Sequence, residues 1–432
     1  MKNLSKHLKR KGNEPKMNNT GDKYPNLNKS NKNSVRLAIL LAVFSSLGPF
    51  TIDTYLPAFP QMMKYFGTTA SMIQMSLTAC MIGMSIGMLV MGSISDVHGR
   101  RKPLLISMII YLVSSFGCVF APNIEVFIAL RFIQGFSASA GIVISRAIVS
   151  DMYSGVELTK FFSLLMMFTN LAPLLAPLAG SAVLAFTVWT GVFLFLGVLA
   201  ILLTSLTAWG LTETLPVEKR VPNNLREFFG NFTILMKDRT FLGYTLIQGF
   251  IFVGVFAYIS GSPFVYQKIY GISPQLYSLL FSLNGISLIL GSQFVKKMAG
   301  KIAEQQIVLI GLAVAFISCG AVMLIVLIQS PLYALVIALF LFVGSTGIIS
   351  SASFTLAMER QGHIAGSASA LLGVSPTLLG AIFGPLVGIA GENSAIPFGL
   401  IIFCSGLVAV LTYFVLVKNA LKVKSIKSQI RS

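Results

Sequence analysis

The amino-acid sequence predicts an all-α integral membrane protein with about twelve transmembrane helices. Hydrophobic residues make up 55% of the 432 residues and charged residues only 11%, whereas an ordinary globular domain carries about 25% charged residues. Apolar runs of about 20 residues, long enough to cross the hydrocarbon core, recur along the chain. None of them alternates in polarity over about ten residues, as the strands of a transmembrane β-barrel do.

The predicted spans follow one another with short connections, and one long polar interruption, Leu211–Thr240, divides them into two sets of six. The spans lie near residues 36–57, 72–95, 103–121, 124–148, 161–186, 190–211, 241–266, 275–295, 305–328, 331–357, 364–390 and 395–417. The predicted domains are a disordered cytoplasmic N-terminal tail (1–35), an N-terminal six-helix bundle (36–211), a cytoplasmic linker (212–240), a C-terminal six-helix bundle (241–418) and a basic cytoplasmic tail (419–432).

The two halves show weak sequence similarity to each other, as two bundles that arose by duplication would. Gly92-Ser93 near the end of span two recurs as Gly291-Ser292 near the end of span eight, and a short basic turn follows each pair. Spans five and eleven both combine proline with glycine. Such internal repeats are typical of secondary transporters, in which the substrate site lies between the halves near the bilayer midplane.

The net charge of +18 is explained by membrane topology rather than by a nucleic-acid partner. Of the 32 lysines and arginines, Lys64 and Lys268 fall on one side of the predicted membrane, and Arg131 and Arg146 fall inside spans. All the others lie on the opposite side. Because cytoplasmic loops carry the excess of lysine and arginine, both termini are predicted to be cytoplasmic. The expected contacts are the lipid bilayer and small molecules, and a monomer is expected.

Sequence motifs for enzymatic chemistry are absent. The chain has no GxxxxGK[ST] phosphate loop, which argues against nucleotide hydrolysis as an energy source, and no HExxH grouping. Its three histidines lie outside the spans, and its four cysteines have no CxxC spacing. We therefore expect neither an enzyme nor a bound cofactor or metal.

The loop between spans two and three combines small, acidic and basic residues. Gly92 is expected to let neighbouring helices approach closely, and Gly99 to permit a tight reversal. Asp96 offers a carboxylate that a helix N-terminus or an arginine could hold. Its candidate partners are Arg100, Arg101 and the start of span eleven. The alternative is a merely basic turn with a capping aspartate.

Asp53 is the one carboxylate predicted inside the hydrocarbon region, where a charge costs at least about 2.5–3.5 kcal/mol. Arg131 in span four is predicted to lie at a similar depth, about 6–10 Å below the boundary, from a rise of 1.5 Å per residue. We expect Asp53 to bind and release a proton, with Arg131 shifting its pKa through proximity. The alternatives are a static buried pair and an aspartate that lies outside the membrane.

Two further features lie at the ends or bends of spans. Arg146 and Asp151 are predicted as a pair at the inner end of span four, either as part of a gate or with Arg146 snorkelling to the surface. Pro173, Pro177 and Gly180 predict a bend with close packing in span five, where the halves could rock. Ordinary helix packing is the alternative.

Polar and aromatic residues within the spans are candidates for the wall of a substrate cavity, although each could equally serve packing between helices. They are Tyr55, Gln134, Asn170, Gln248, Phe252, Tyr258, Tyr266 and Asn284.

The string Gly92-x-x-x-Asp96-x-x-Gly99-Arg100-Arg101-Lys102-Pro103 resembles the signature loop of the major facilitator superfamily. Three other strings resemble the drug:proton antiporters with twelve spans, in particular the Bcr/CflA branch: Ile52-Asp53-x-Tyr55-Leu56-Pro57, Leu130-Arg131-Phe132-Ile133-Gln134-Gly135 and Ala172-Pro173-Leu174-Leu175-Ala176-Pro177-Leu178-Ala179-Gly180. The resemblance covers about Ile39 to Phe414. The chain departs from the family at Val97, where arginine is usual, and at Ala176 and Ser181, where glycine is usual.

This resemblance implies a major facilitator fold of two pseudo-symmetric six-helix bundles in a bacterial cytoplasmic membrane. It also implies proton-driven export of drug-like compounds, typically of bicyclomycin, chloramphenicol, sulfonamide or tetracycline type. An exporter of amino acids or other metabolites on the same fold, or a membrane sensor that does not transport, remains an alternative.

Overall fold

The computed structural model describes residues 31–220, 225–359, 361, 364–389, 391 and 394–418. The chain divides into a first unit, residues 1–39, and a second compact unit, residues 40–432. The described part of the first unit is the start of the first helix, and the sites discussed below lie in the second unit. Residues 1–30 and 419–432, which make up most of the two predicted tails, lie outside the described residues.

The long elements of the described residues are all helical. The α-helices are α1 (Asn31–Asp53), α2 (Phe59–Phe66), α3 (Ala70–His98), α4 (Arg101–Val119), α5 (Ile124–Met152), α6 (Gly155–Leu184), α7 (Trp189–Gly210), α8 (Leu225–Lys237), α9 (Arg239–Phe264), α10 (Pro274–Met298), α11 (Glu304–Leu327), α12 (Leu332–Met358), α13 (Ala365–Phe383) and α14 (Ile396–Thr412). Short 3₁₀ turns occur at Leu56–Ala58, Val217–Lys219 and Gly384–Gly388, and π turns occur at Val265–Ile269 and Tyr413–Lys418.

Twelve of these helical stretches are long and apolar enough to cross a membrane, which confirms the predicted all-α architecture. The first span is longer than expected: α1 and α2 together form one stretch, Leu37–Phe66. The prediction ended this span at Pro57. Proline is tolerated in the first turn of a helix, and here the 3₁₀ turn Leu56–Ala58 leads directly into α2.

Side-chain caps explain where several spans begin. Asn123 Oδ1 accepts a hydrogen bond of 2.9 Å from the Val126 amide at the start of α5. Ser273 does the same for Leu276 at the start of α10, at 3.2 Å. Asp238 caps α9 by accepting from the amide of Thr240 at 2.9 Å. These caps satisfy amides that have no partner within the helix.

Helices in each half pack around small residues. In the first half α3 packs against α5, and α4 packs against α5 and α7; in the second half α9 packs against α13 and α14, and α12 against α10 and α11. A side chain at Gly87 or Gly135 would overlap the backbone of the neighbouring helix. Gly92 differs from the expectation, because a Cβ there would only make an ordinary contact of 3.5 Å with Val143. α3 and α5 therefore approach each other most closely near the middle of these helices, at Gly87 and Gly135, rather than at Gly92.

The two halves contact each other at the end that carries α2 and the turns Val265–Ile269 and Gly384–Gly388, which we call the far end. The opposite end carries Gly99 and α8, and we call it the linker end. Neutral hydrogen bonds join the halves at the far end: Gln74 Nε2 donates to Ser260 O at 3.2 Å, Ser71 Oγ to Pro385 O at 3.1 Å, and Gln267 Nε2 to Pro57 O at 3.1 Å. These contacts close the far end.

Candidate functional site

Asp53 is the last residue of α1, where the helix gives way to the turn that leads into α2. Its side chain is 5% exposed, and no hydrogen bond or ion pair with another described residue reaches its carboxylate. Its charge lies within electrostatic range of the hydroxyls of Tyr258 and Tyr277 in the second half. An ionised carboxylate without a partner is costly in such a place, and a bound proton removes that cost.

Arg131 does not pair with Asp53 in this conformation, which corrects the expected contact. Its guanidinium is fully buried inside the first half; Nη2 donates to Thr51 O at 2.9 Å, and Nη1 donates to Gln134 Oε1. The group also lies 4.1 Å above the ring of Tyr55. Arg131 nevertheless reaches the backbone two residues before Asp53. Successive helical residues point about 100° apart, however, and depth alone does not say which way a side chain points.

Tyr55 and Gln134 lie in the interior of the first half, where both form hydrogen bonds with neighbouring helices. Both are 0% exposed. The Tyr55 hydroxyl bonds Ser76 Oγ at 3.2 Å, and Gln134 Nε2 donates to Ser115 Oγ at 2.7 Å. Both residues therefore fit the alternative interpretation, in which polar side chains within the spans form hydrogen bonds between helices.

The second half contributes a cluster of aromatic and polar side chains close to Asp53. Asn284 Nδ2 donates to the Tyr258 hydroxyl at 2.9 Å, and the Tyr258 ring stacks on Phe281 with centroids 5.2 Å apart. The hydroxyl of Tyr277 is 3.4 Å from Ser262 Oγ. Two hydrogen-bonding atoms of the cluster, the Tyr266 hydroxyl and Asn284 Oδ1, are buried without a partner among the described residues.

Sequence reasoning identified Tyr258, Tyr266 and Asn284 but missed Tyr277 and Phe281. The missing pair precedes Asn284 by seven and three residues, a spacing that places all three on one face of α10. That helical periodicity, extended backward from Asn284, would have found both aromatic residues.

The remaining predicted cavity residues lie nearer the linker end. Gln248 on α9 has a buried Oε1 without a partner among the described residues. Phe252 lies against Gly380 of α13, so it serves the contact between these helices. Asn170 lines a cleft of about 670 Å³ between α6 and α10, together with Gln293.

The loop between α3 and α4 is organised by Arg100. Its Nη1 donates to Asp96 Oδ1 at 2.5 Å, and its Nε donates to Asp151 Oδ2 at 2.8 Å. Of the three partners considered for Asp96, the structure selects Arg100. Burial alone would lower the pKa of Arg100, but the two carboxylates hold it above its ordinary value. The arginine therefore links the end of α3 to the end of α5 as a permanent cation.

The predicted pair of Arg146 and Asp151 is not formed. Asp151 bonds Arg100 instead, and no ion pair of Arg146 occurs within the described parts of the chain. Residues five apart on a helix point to different faces, whereas residues three or four apart are neighbours. Arg146 is partly exposed at the linker end of α5, in keeping with the snorkelling alternative.

Glu213, which sequence reasoning missed, caps the same loop from the end of the first half. Its Oε1 accepts from the amides of Arg100 at 2.7 Å and Leu215 at 3.0 Å, and its Oε2 accepts from the amide of Arg101 at 3.2 Å. Gly99 has a φ of +86°, and a side chain there would overlap the Glu213 carboxylate. The only sequence signal was an acidic residue just after a span, because the loop amides that it caps, at Arg100 and Arg101, lie more than 110 residues earlier in the chain.

Replacement of Glu213 by glutamine should make the protein less stable at neutral pH. Burial raises the pKa of Glu213, but backbone amides outweigh burial and hold it below the ordinary value. A carboxylate with a lowered pKa stabilises the fold above its unfolded pKa of about 4.3, and this contribution is lost as the pH falls through the folded pKa. We expect a loss of about 1 kcal/mol at pH 7, typical of a removed helix cap.

Thermal unfolding in detergent measures this difference, which should shrink as the pH falls below about 4.3. The exposed Glu218, for which glutamine should change little, is the matched control. A difference that stays constant across this pH range would contradict the role of the Glu213 charge.

The prolines of span five lie within one continuous helix, α6, which contains both Pro173 and Pro177. Gly180 packs directly against the carbonyl oxygen of Thr54, the residue after Asp53, and leaves no room for a side chain. This backbone contact holds the far-end half of α6 against the turn that carries Asp53.

Comparisons with known proteins give consistent matches over most of the chain. The sequence pattern of the Major Facilitator Superfamily matches residues 39–385. The Uncharacterized MFS-type transporter YdgK of Bacillus subtilis (strain 168) is 47% identical over 394 residues, which cover 91% of this chain and 98% of that protein. The Bicyclomycin resistance protein homolog of Haemophilus influenzae is 30% identical over 391 residues, 90% of this chain and 98% of that protein.

Among solved structures, a bacterial homolog of the human lysosomal transporter Spinster, in an inward-facing and unoccupied conformation, matches with a TM-score of 0.75. The match covers 91% of this chain and 98% of the other, at 15% sequence identity. At this identity the likeness concerns the fold alone.

Proposed function

The chain belongs to the Major Facilitator Superfamily, and we propose that it exports drug-like small molecules in exchange for protons by alternating access. It is a multi-pass membrane transporter with bacterial relatives. The proposed cargo is of the bicyclomycin, chloramphenicol, sulfonamide or tetracycline type. The name of the Haemophilus influenzae relative supports a drug as cargo.

The observation that best supports the proposal is the burial of the Asp53 carboxylate without a partner among the described residues. This carboxylate is buried at the contact between the two halves, beneath a closed far end, and among the described residues it has neither an ion pair nor a hydrogen bond. Closing the far end over an ionised Asp53 would leave an unpaired charge buried in an apolar environment. The halves therefore close at that end only after Asp53 has taken up a proton.

The direction of exchange follows from the membrane orientation. We place the linker end in the cytoplasm, because it carries the basic loops. A proton from outside then binds Asp53 while the far end is open, and it is released when the linker end gives water access to the site. Substrate enters from the linker end and occupies the aromatic cluster around Tyr258 and Phe281.

Arg131 acts through the backbone in this scheme rather than as a direct partner of Asp53. Its guanidinium bonds Thr51 O and covers the ring of Tyr55, on either side of Asp53 in the sequence. We propose that it fixes the end of α1 and thus the direction of the Asp53 side chain. In the same way, the ties of Arg100 to Asp96 and Asp151 hold the linker-end loop of the first half together as it moves.

Drug susceptibility of bacteria with and without the protein tests the proposal. Cells that produce it should tolerate higher concentrations of at least one of the four drug classes, and a protonophore should remove this protection. Protection that persists with the protonophore would refute proton coupling. Unchanged susceptibility to all four classes, with export of an amino acid or another metabolite instead, would refute the proposed cargo.

A further inference from the structure

One corner of the second half, at the linker end, combines exposed apolar side chains with exposed cations. On α8, Ile234 and Met236 are 57% and 51% exposed, and the helix ends in the exposed Lys237. Arg239, the first residue of α9, and Lys418, which ends the last turn, are exposed as well. We call these five residues the basic corner.

Packing among α8, α9 and the last turn brings the members of the basic corner together. Leu235, which lies between the two exposed apolar residues of α8, is fully buried in one apolar cluster with Val417 of the last turn. A Cβ at Gly243 of α9 would lie 2.6 Å from the side chain of Val417, the neighbour of Lys418. Gly243 follows Arg239 by one helical turn. The three cations therefore share one region of the surface.

The basic corner lies at the depth of lipid headgroups. The seventh span, Arg239–Ile269, has 31 residues, which gives about 46 Å at 1.5 Å per residue. A span of this length centred on a hydrocarbon core of about 30 Å projects about 8 Å beyond it at each end, into the headgroup layer. Lys418 ends the twelfth span, and its Nζ lies 5.1 Å from the ring centroid of the exposed Phe414. A lysine at a membrane boundary keeps its stem on apolar surface and its charge among headgroups in this way.

The fold leaves the positive charge of the basic corner largely unneutralised. Among the residues that the structure describes, no carboxylate forms an ion pair with its three cations. Asp238 is close in sequence, but its Oδ1 caps α9 and its Oδ2 accepts from Gln361 Nε2 at 3.0 Å. Glu359, at the end of α12, lies within electrostatic range of Tyr244 of α9. Three cations thus face one carboxylate without a hydrogen-bonding role in the fold, and the corner stays positive.

The first half treats its linker-end arginine differently. Arg100 is buried and bonds the carboxylates of Asp96 and Asp151, and Glu213 caps the amides of the same loop. The first half therefore supplies its own anions, whereas the second half directs its cations outward. An anion from outside the chain is the remaining source of opposite charge for the basic corner.

We propose that the basic corner binds the headgroups of anionic phospholipids in the leaflet at the linker end, with Ile234 and Met236 inserted at the boundary of the acyl chains. Helices that lie in the interface bind through buried apolar area together with attraction to anionic lipids. The exposed apolar residues beside the cations favour a lipid over a dissolved anion, which offers no apolar surface for them to bury against.

A tryptophan reporter on α8 tests this proposal without any transport. Met236→Trp is made together with Trp209→Phe, because Trp209 is 87% exposed whereas Trp189 is buried. The protein is placed in vesicles of phosphatidylcholine and phosphatidylglycerol, one of which carries bromine on its acyl chains and quenches the reporter on contact. We expect phosphatidylglycerol to occupy the site about tenfold more strongly than phosphatidylcholine, since each basic residue near an anionic surface contributes up to about fivefold.

Removal of the three charges should reduce this preference to about one. The variant combines Lys237→Gln, Arg239→Gln and Lys418→Gln. The matched control removes the same charge at the same end, from the end of α10 and the turn after it, and should keep the preference near tenfold. It combines Lys296→Gln, Lys297→Gln and Lys301→Gln. All six side chains are exposed, so both variants should fold.

An equal loss of preference in both triple variants would overturn the site, because it would show attraction to the overall surface charge only. Quenching of the reporter by neither lipid would place α8 in water and would overturn it as well. Soluble glycerol phosphate at millimolar concentration should leave the preference unchanged. If it abolishes the preference, the occupant is a dissolved anion and the proposed lipid is wrong.

Discussion

Asp53→Asn is expected to abolish export driven by a pH gradient while the protein still inserts and folds. Asparagine has nearly the shape of aspartate but cannot bind and release a proton. Because the native carboxylate is buried without a partner among the described residues, a neutral amide there removes a burial cost of at least about 2.5–3.5 kcal/mol whenever the native group is ionised. The variant should therefore be at least as stable as the native protein.

Transport by purified protein in proteoliposomes measures this effect. Asp53→Asn should still exchange labelled for unlabelled substrate across the membrane, since closing of the far end no longer waits for a proton. Uptake against a substrate gradient should disappear, and so should the proton release that substrate causes in the native protein. Glu125→Gln, at an exposed acidic residue in the first turn of α5, is the control and should behave like the native protein. Full gradient-driven export by Asp53→Asn would refute the role of this residue.

Gly180→Ala is expected to cause the second large effect, a loss of stability together with a loss of transport. A Cβ at this position would overlap the carbonyl oxygen of Thr54, so α6 or the turn after Asp53 has to move. Forcing an additional carbon into a closely packed contact costs about 1–3 kcal/mol. The displaced turn carries Asp53, and transport should therefore fall further than the amount of folded protein does.

Gly373→Ala is the matched control, because Gly373 also lies within a spanning helix that contains proline but has open space around it. Alanine there should leave stability unchanged or raise it by up to about 1 kcal/mol through its higher helix propensity. Unfolding temperature in detergent and transport per folded molecule are the two measurements. If both variants behave alike, the contact between α6 and the Asp53 turn does not constrain the site.

The sequence was sufficient for those features that depend on composition and on spacing along one helix. The twelve spans follow from apolar runs, and Asp53 stands out as a carboxylate among apolar residues. Asp96, near the end of α3, and Arg100, four residues later and just before α4, form one of the contacts that the sequence offered. By contrast, Arg146 and Asp151, five residues apart, do not pair, and attention to helical geometry would have excluded this pair from the sequence alone.

Other features depend on how separate helices face each other. The carboxylate of Glu213 reaches amides at Arg100 and Arg101 across more than 110 residues of chain, and no local pattern predicts this contact. Tyr55 and Gln134 are as polar as Tyr258 and Asn284, but they form hydrogen bonds with Ser76 and Ser115 within the first half. Gly92 and Gly180 are both glycines in predicted contacts, and only the second has a neighbour too close for a side chain.

The sequence by itself determined the class of protein, the number of spans, the side of the membrane on which the basic loops are expected, and the acidic residue that we propose for proton coupling. Tertiary structure alone decided that Arg131 bonds the backbone of α1, that Asp53 lies close to the aromatic cluster of the second half, and that a cleft opens between α6 and α10. The reason is physical: hydrophobicity determines how deep a residue lies in the membrane, whereas partners depend on the rotation of each helix about its axis. That rotation is determined by packing among all the helices together.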